Sequence, residues 1–227
     1  SLFFLSKKNN KFDIDNLQNP FLGNYYTNNS IRKIIDKKKL NQIYNVKYFE
    51  NKIDLYKIIA KQIIQNRIIG FFNGKMEFGA RALGNRSILA SPRDASMRDK
   101  LNRVIKKREG FRPFAPSVTV NQASKWFNLK QSVPYMNIVL QAKTNKFKAA
   151  THIDGSCRVQ TVDKYQNPLY FKLIKEIGKK SGAEVVLNTS YNLKDQTITR
   201  TPQQAIERFL DSHIDNLVID KFIISKK

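Results

Sequence analysis

The sequence is short of the residues that build cross-links and metal centres. It has one cysteine, Cys157, and two histidines, His152 and His213. A single cysteine excludes a disulfide framework within the chain and a cysteine-rich zinc site. Two histidines are too few for a self-contained histidine-rich metal centre. No metal site is therefore expected within these 227 residues.

Acidic residues and long apolar runs are also scarce. The chain has 18 Asp and Glu against 41 Lys and Arg, which gives a formal net charge of +23. No apolar run approaches the roughly 20 residues of a membrane span, so we expect a cytoplasmic protein. Hydrophobic residues still make up 41% of the chain, including 15 Phe, which allows a buried core and excludes wholesale disorder.

Arginine is concentrated in one stretch of this basic chain. Of 12 arginines, seven fall within 32 residues: Arg81, Arg86, Arg93, Arg98, Arg103, Arg108 and Arg112. The guanidinium group grips phosphate or carboxylate with two parallel hydrogen bonds, which a lysine cannot do. A salt-bridged helix face explains the middle three arginines but not those in the loops on either side. These loops are therefore candidates for binding an anion.

Segments of strand and helix character alternate along the chain. Residues 67–72 and 184–187 have the apolar character of buried strands, whereas residues 168–182 have the spacing of an amphipathic helix. This alternation predicts an α/β fold with a mixed sheet. We place one domain at residues 46–227 and interpret residues 1–45 as a leader from a domain that the sequence lacks.

Four segments between these elements carry cations, glycines or small polar side chains; they are residues 74–87, 106–117, 151–160 and 188–192. The Gly79 to Gly84 spacing is close to that of a phosphate loop. Asn85 and Arg86, however, stand where Lys-Ser/Thr is required, which excludes a Walker loop. The four segments supply cations and polar donors but no nucleophile paired with a base. This set favours phosphoryl or acyl-phosphate chemistry, in which positioning and charge neutralisation dominate.

Five ordered runs resemble the C-terminal domain of the O-carbamoyltransferases that modify nodulation factors and antibiotics such as cephamycin and tobramycin. The runs are GKMEFGARALGNRSILASPR, LNRVIKKREGFRPFAPSV, THIDGSCRVQTV, VVLNTSYN and TPQQAIERFLDSHIDNLVID. With the run NPFLGNYY, the resemblance covers residues 19–225. It implies a YrdC-like fold, which is a twisted mixed sheet with flanking helices and a basic concave face.

The resemblance also implies an enzymatic reaction. Carbamoyl phosphate and ATP give carbamoyl-adenylate, with Mg²⁺ assisting pyrophosphate departure, and the carbamoyl group then moves to an alcohol. Carried over position by position, the resemblance assigns catalysis to Lys106, Arg112 and Ser190. It assigns binding of ATP and carbamoyl phosphate to Arg81, Arg158, Arg86, Asn188 and Glu77.

The family's larger N-terminal domain has no counterpart in this sequence. That domain has an actin-like fold, a histidine-bound metal of the iron type and the acceptor site. We therefore expect this chain to be the adenylating half of a carbamoyltransferase, with the other half in the same or a separate chain. Nucleic acid and membranes are not expected as partners.

Three alternatives stay open. The basic concavity also suits a YrdC-like RNA-binding module, although no RRM, KH or helix-turn-helix signature is present. A threonylcarbamoyl-adenylate synthase is a nearer alternative, and the run EFGARALGNRS favours the carbamoyltransferase over it. A degenerate remnant would bind neither nucleotide nor carbamoyl phosphate.

Overall fold

The computed structural model of the chain describes residues 19–226. The α-helices of this part are α1 (Asn28–Lys37), α2 (Leu40–Ile43), α3 (Lys52–Ile64), α4 (Ala95–Lys100), α5 (Val120–Trp126), α6 (Pro168–Ser181) and α7 (Pro202–Leu210). A π-helical segment, Leu101–Lys106, continues directly from α4. The strands are β1 (Asn45–Tyr48), β2 (Ile69–Phe72), β3 (Arg86–Ala90), β4 (Ala115–Thr119), β5 (Val139–Gln141), β6 (Ser156–Arg158), β7 (Gln160–Val162), β8 (Val185–Ser190), β9 (Asn216–Ile219) and β10 (Phe222–Ser225).

Eight of these strands form one mixed sheet within the described residues, in the order β1-β10-β9-β2-β3-β8-β4-β7. The pairs β2–β9 and β4–β7 are parallel, and the other neighbours are antiparallel. Strand β8 lies between β3 and β4, so Asn188 stands opposite Leu89 on one side and Ala115 on the other. The short strands β5 and β6 pair separately. The expected α/β fold with a mixed sheet and flanking helices is confirmed.

Helices cover both faces of the sheet. On one face α3 and α6 bury a core that includes Ile59, Tyr170 and Leu173. On the other face the π-helical segment and α7 bury a second core, which includes Leu101 and Phe209. Because both faces are covered, β2 and β9 are buried along their full length, and their sequences are nearly continuous apolar runs.

The described part of the predicted leader contributes to the same core. Residues 1–18 of that leader lie outside the described residues. Helix α1 buries Ile31 and Ile35 against the second core, and β1 pairs with β10 at the edge of the sheet. The packing therefore continues across the predicted boundary near residue 45.

None of the helices formed by residues 19–226 is both long enough and apolar enough to cross a membrane.

Candidate anion-binding site

The glycine-rich loop between β2 and β3 is folded around one buried carboxylate. Glu77 Oε1 accepts hydrogen bonds from the backbone N–H groups of Leu83 (2.6 Å), Asn85 (3.3 Å) and Arg86 (3.2 Å). Burial raises the pKa of Glu77, although these N–H donors oppose the shift. At Gly84, where φ is +110°, a Cβ atom would come within 2.2 Å of the Tyr170 ring. Only glycine allows the loop to lie this close to α6.

Arg86 is buried beneath the same loop. Its guanidinium donates to four backbone carbonyls, those of Asn24, Asn73, Gly74 and Asn85, over 2.9–3.3 Å. The group also lies 3.7 Å from the centroid of the Phe72 ring. Burial lowers the pKa of Arg86 to about 10. Through these hydrogen bonds, Arg86 connects the loop to the segment before α1.

The loop from residue 107 to residue 114 is organised by a buried asparagine of the π-helical segment. Asn102 Nδ2 donates to the carbonyls of Gly110 (3.1 Å) and Arg112 (2.8 Å). Its Oδ1 accepts from Arg108 Nε at 2.8 Å, and the Arg108 guanidinium also lies over the Phe114 ring. One buried amide therefore fixes both the path of this loop and the direction of Arg108.

A cavity of about 320 Å³ opens between these two loops and the ends of β6 and β8. Its lining comes from Ala80, Arg81, Ala82, Arg108, Arg112, Pro113, Phe114, Ala115, Met136, Arg158, Asn188, Thr189 and Ser190. Four arginines from three separate stretches of the chain thus meet at one hollow. No carboxylate of residues 19–226 contributes to this lining, so the cavity is suited to an anion.

Most arginines of the cavity form no ion pair with an acidic residue among residues 19–226. Within the described residues, neither Arg81 nor Arg158 forms an ion pair, whereas Arg112 Nε pairs with Glu109 Oε2 at 2.9 Å. Burial and the nearby charge of Arg81 lower the pKa of Arg158. Burial and the charge of Arg112 likewise lower the pKa of Arg108. Repulsion between these cations would be relieved by a bound anion.

Lys106 lies behind Ser190, next to the cavity but not in its lining. Its Nζ donates to the carbonyls of Ser190 (2.6 Å) and Asn192 (3.0 Å) and to Asn192 Oδ1 (2.9 Å). Ser190 Oγ is 3.4 Å from Nζ and donates to Asn192 Oδ1 at 2.5 Å. Burial, followed by the charges of Arg108 and Arg208, lowers the pKa of Lys106 to about 7.

The structure brings most of the predicted site residues together. Arg81, Arg112, Arg158, Asn188 and Ser190 line the cavity. Lys106 contacts one of them, Ser190.

The two remaining predicted residues have other surroundings. Glu77 and Arg86 are buried in the loop that presents Arg81, and neither lines the cavity. Their contacts support the shape of the loop.

Three residues at or beside the cavity were not among the predicted site residues. Arg108 was visible only as one member of the arginine cluster, and Asn192 only as part of a polar turn. The sequence gives only a weak indication of Asn102. It is a polar residue between Leu101 and Ile105, which are apolar positions on one face of the helix. A buried amide at such a position commonly bonds to a nearby backbone.

The expected Mg²⁺ has no binding site of its own among these residues. Within residues 19–226, no group of three or more His, Cys, Asp or Glu side chains could hold a metal ion. Mg²⁺ takes much of its coordination from substrate phosphates and water, so it would arrive with the nucleotide. The described residues do not fit a resident metal, and no catalytic step is assigned to one.

Comparisons with known proteins point to one family. The family profile described as carbamoyltransferase C-terminus matches residues 60–226. An uncharacterised protein of Methanocaldococcus jannaschii is 38% identical over 217 residues, covering 94% of this chain and 35% of that protein. Nodulation protein NolO of Bradyrhizobium diazoefficiens is 41% identical, covering 77% of this chain and 33% of NolO. The 3'-hydroxymethylcephem-O-carbamoyltransferase of Amycolatopsis lactamdurans is 40% identical, covering 57% of this chain and 25% of that enzyme.

A solved structure shares the fold. Full-length HypF, in a phosphate- and nucleotide-bound form, superimposes with a TM-score of 0.50 and 17% sequence identity, covering 80% of this chain and 22% of HypF. At this identity the likeness concerns the fold alone. The chain spans about a third or less of the length of NolO and the cephem carbamoyltransferase.

Proposed function

This chain belongs to the carbamoyltransferase C-terminus family, and on that basis we propose that it is the adenylating part of an ATP-dependent O-carbamoyltransferase. It binds carbamoyl phosphate and ATP and forms carbamoyl-adenylate, whose carbamoyl group is then transferred to a hydroxyl acceptor. The observation that carries the proposal is the convergence of Arg81, Arg112 and Arg158 on one cavity without carboxylates.

The proposed reaction has two steps. Water first releases phosphate from carbamoyl phosphate and leaves carbamate. A carbamate oxygen then attacks the α-phosphorus of ATP while the bond to the β,γ-pyrophosphate breaks. The products carbamoyl-adenylate, phosphate and pyrophosphate account for every atom of carbamoyl phosphate, ATP and water.

The cavity supplies what these steps demand from a protein. Both reactants are anions, and charge shifts onto phosphate and pyrophosphate as each leaves. Arginines fixed beforehand around the reacting groups stabilise that charge without reorganising. Ser190 lies at the end of β8 and lines the cavity, where its hydroxyl can turn from Asn192 Oδ1 to orient an acyl or phosphate oxygen. Lys106, 3.4 Å from Ser190 Oγ, adds to the positive field at the same place.

The acceptor site is proposed to lie outside this chain's described residues. Because relatives are about three times longer or more, a further domain with an actin-like fold, in the same or a separate chain, would hold the alcohol. ATP and carbamoyl phosphate are intracellular metabolites, so the proposed location is the cytoplasm.

The proposal is tested by the exchange of labelled pyrophosphate into ATP in the presence of carbamoyl phosphate. We expect exchange with the 227-residue chain, and a loss of about 10²–10³-fold for Arg112→Ala or Arg158→Ala, the scale for removing one preorganised electrostatic donor. Arg103→Ala is the matched control, because Arg103 is an exposed arginine outside the cavity.

Two results would overturn the assignment. Near-normal exchange by Arg112→Ala and Arg158→Ala would show that the cavity is not the reaction site. Exchange that depends on threonine and bicarbonate instead of carbamoyl phosphate would favour a threonylcarbamoyl-adenylate synthase.

A further inference from the structure

Three buried polar side chains form a hydrogen-bonded network that reaches the cavity at one of its members, Asn188. Ser117 of β4, Gln160 of β7 and Asn188 of β8 are each at most 3% exposed. Asn188 also lines the cavity. Since polar groups at this depth are costly unless hydrogen-bonded, each donor and acceptor of the network needs a partner.

The orientation of both amides is fixed by backbone carbonyls. Gln160 Nε2 donates to the Leu83 carbonyl at 2.9 Å, so its Oε1 is the atom that accepts from Ser117 Oγ at 2.6 Å. Asn188 Nδ2 donates to the Ala82 carbonyl at 3.1 Å and to Gln160 Oε1 at 3.0 Å. Turning either amide over would place an oxygen against a carbonyl oxygen, so neither can be reversed.

One atom of the network is left over. Asn188 Oδ1 is buried and has no hydrogen-bond partner among the described residues. An amide oxygen in this state costs free energy until a donor reaches it. The charged groups that line the cavity are arginines, which suit a phosphate, whereas a neutral oxygen suits a neutral N–H or O–H donor.

We propose that Asn188 determines specificity by accepting a hydrogen bond from an N–H group on the uncharged end of a phosphate-bearing ligand. This inference rests on the proposed function, in which that group is the amide nitrogen of the carbamoyl moiety. Acetyl phosphate carries a methyl group of similar size at this position but has no donor. Asn188 therefore separates carbamoyl from acetyl phosphate, a distinction that the arginines cannot make.

Two stable phosphonates test this distinction without chemical turnover. Phosphonoacetamide carries the amide, and acetonylphosphonate is the same molecule with a methyl group in place of the amino group. By calorimetry on the 227-residue chain, we expect phosphonoacetamide to bind about ten- to hundredfold more tightly, the range for leaving one buried acceptor unpaired.

A pair of variants assigns the preference to the Asn188 side chain. Asn188→Leu keeps a similar branched shape but has no acceptor, so its affinity ratio for the two phosphonates should fall close to one. Ser117→Ala removes a polar group from the same network, including the oxygen that accepts from Asn188 Nδ2 at 3.2 Å. Asn188 Nδ2 keeps its bonds to Ala82 and Gln160. We expect this control to retain the wild-type ratio within about twofold, because Oδ1 stays in place.

The outcomes separate this inference from the function it rests on. The role of Asn188 is overturned if the wild-type chain binds the two phosphonates equally, or if Asn188→Leu keeps the wild-type affinity ratio. Neither result contradicts the proposed anion site. Failure of both phosphonates and of inorganic phosphate to bind overturns the proposed function itself. Should Asn188→Leu not fold, the wild-type ratio alone decides, since it needs no variant.

Discussion

Two arginines five residues apart, one in the loop after β2 and the other at the start of β3, have opposite surroundings. Arg86 is fully buried and its guanidinium is bonded to carbonyls of its own chain, whereas Arg81 is exposed at the cavity and lacks an ion-pair partner within the described residues. The same division separates the buried Lys106 from the exposed Arg112 and Arg158. The inner cations, Arg86 and Lys106, donate to oxygen atoms of the fold itself. The outer cations, Arg81, Arg112 and Arg158, have donors that a ligand's oxygen atoms can accept from.

The division has a physical basis. A buried cation must be compensated inside the protein, because no other source of negative charge or oxygen reaches it. An outer cation is already hydrated and exchanges water for phosphate at little cost. The inner group therefore acts on stability and loop shape, while the outer group acts on affinity.

Replacing Arg86 should give the largest effect on stability. Arg86→Met leaves several backbone carbonyls and the buried Glu77 without their cation. We expect a loss of about 3–5 kcal/mol in the free energy of unfolding, the range for removing one member of a buried charged set. Urea unfolding followed by circular dichroism measures it. Arg81→Met, in the loop before β3, should change stability by less than about 0.5 kcal/mol; a similar loss in both variants would erase the distinction.

Arg86 and Arg81 also show where sequence reasoning reached its limit. Both stand in the glycine-rich segment 74–87, and both were predicted to bind a ligand. Residue type and spacing are the same for an arginine that holds the backbone in place and for one that contacts a ligand. Part of the distinction depends on Asn24, which is 62 residues away in sequence and accepts from Arg86. No local pattern contains that contact.

The fold was easier to predict from the sequence where a segment contains residues that mark its own ends. Helix α6 begins with Asn167 as cap and Pro168, and ends at Gly182 with φ of +75°. Strand β8 was predicted to end at residue 187 because Asn188, Thr189 and Ser190 are typical of turns. The strand continues to Ser190, since pairing with Ser87 of β3 satisfies its backbone. Tertiary pairing overrides local propensity there.

Titration of Lys106 tests whether an inner cation also contributes to binding. With a pKa lowered to about 7, Lys106 is charged at pH 6 and largely neutral at pH 9. An anion beside it favours the charged form, so affinity should fall as pH rises through this range, by about three- to tenfold. Sulfate is the suitable probe because it does not itself titrate between pH 6 and 9.

Two variants identify the group responsible for that slope. Lys106→Met should bind sulfate with a nearly flat profile, whereas Lys107→Met, an exposed neighbour outside the cavity, should keep the wild-type slope. A flat wild-type profile would mean that the oxygens of Ser190 and Asn192 hold Lys106 in its charged form up to pH 9. Lys106 would then have a structural role like that of Arg86, in which it holds the backbone in place.

The smallest effect is expected at Arg112, which has an acidic partner, whereas Arg81 and Arg158 have none within residues 19–226. Arg112 and Glu109 are each more than half exposed, and such surface pairs contribute only about 0.2–1 kcal/mol. An anion that binds Arg112 competes with Glu109 for the guanidinium charge, so Glu109→Gln should raise sulfate affinity about twofold, and the gain should vanish in high salt. Glu50→Gln makes the same charge change at the end of β1, five strands from β8, and should leave affinity unchanged. If both variants bind sulfate more tightly by the same factor, net charge alone governs the affinity. If only Glu109→Gln does, the pair competes with the ligand, and Arg112 belongs with the cations whose acceptor comes from outside the fold.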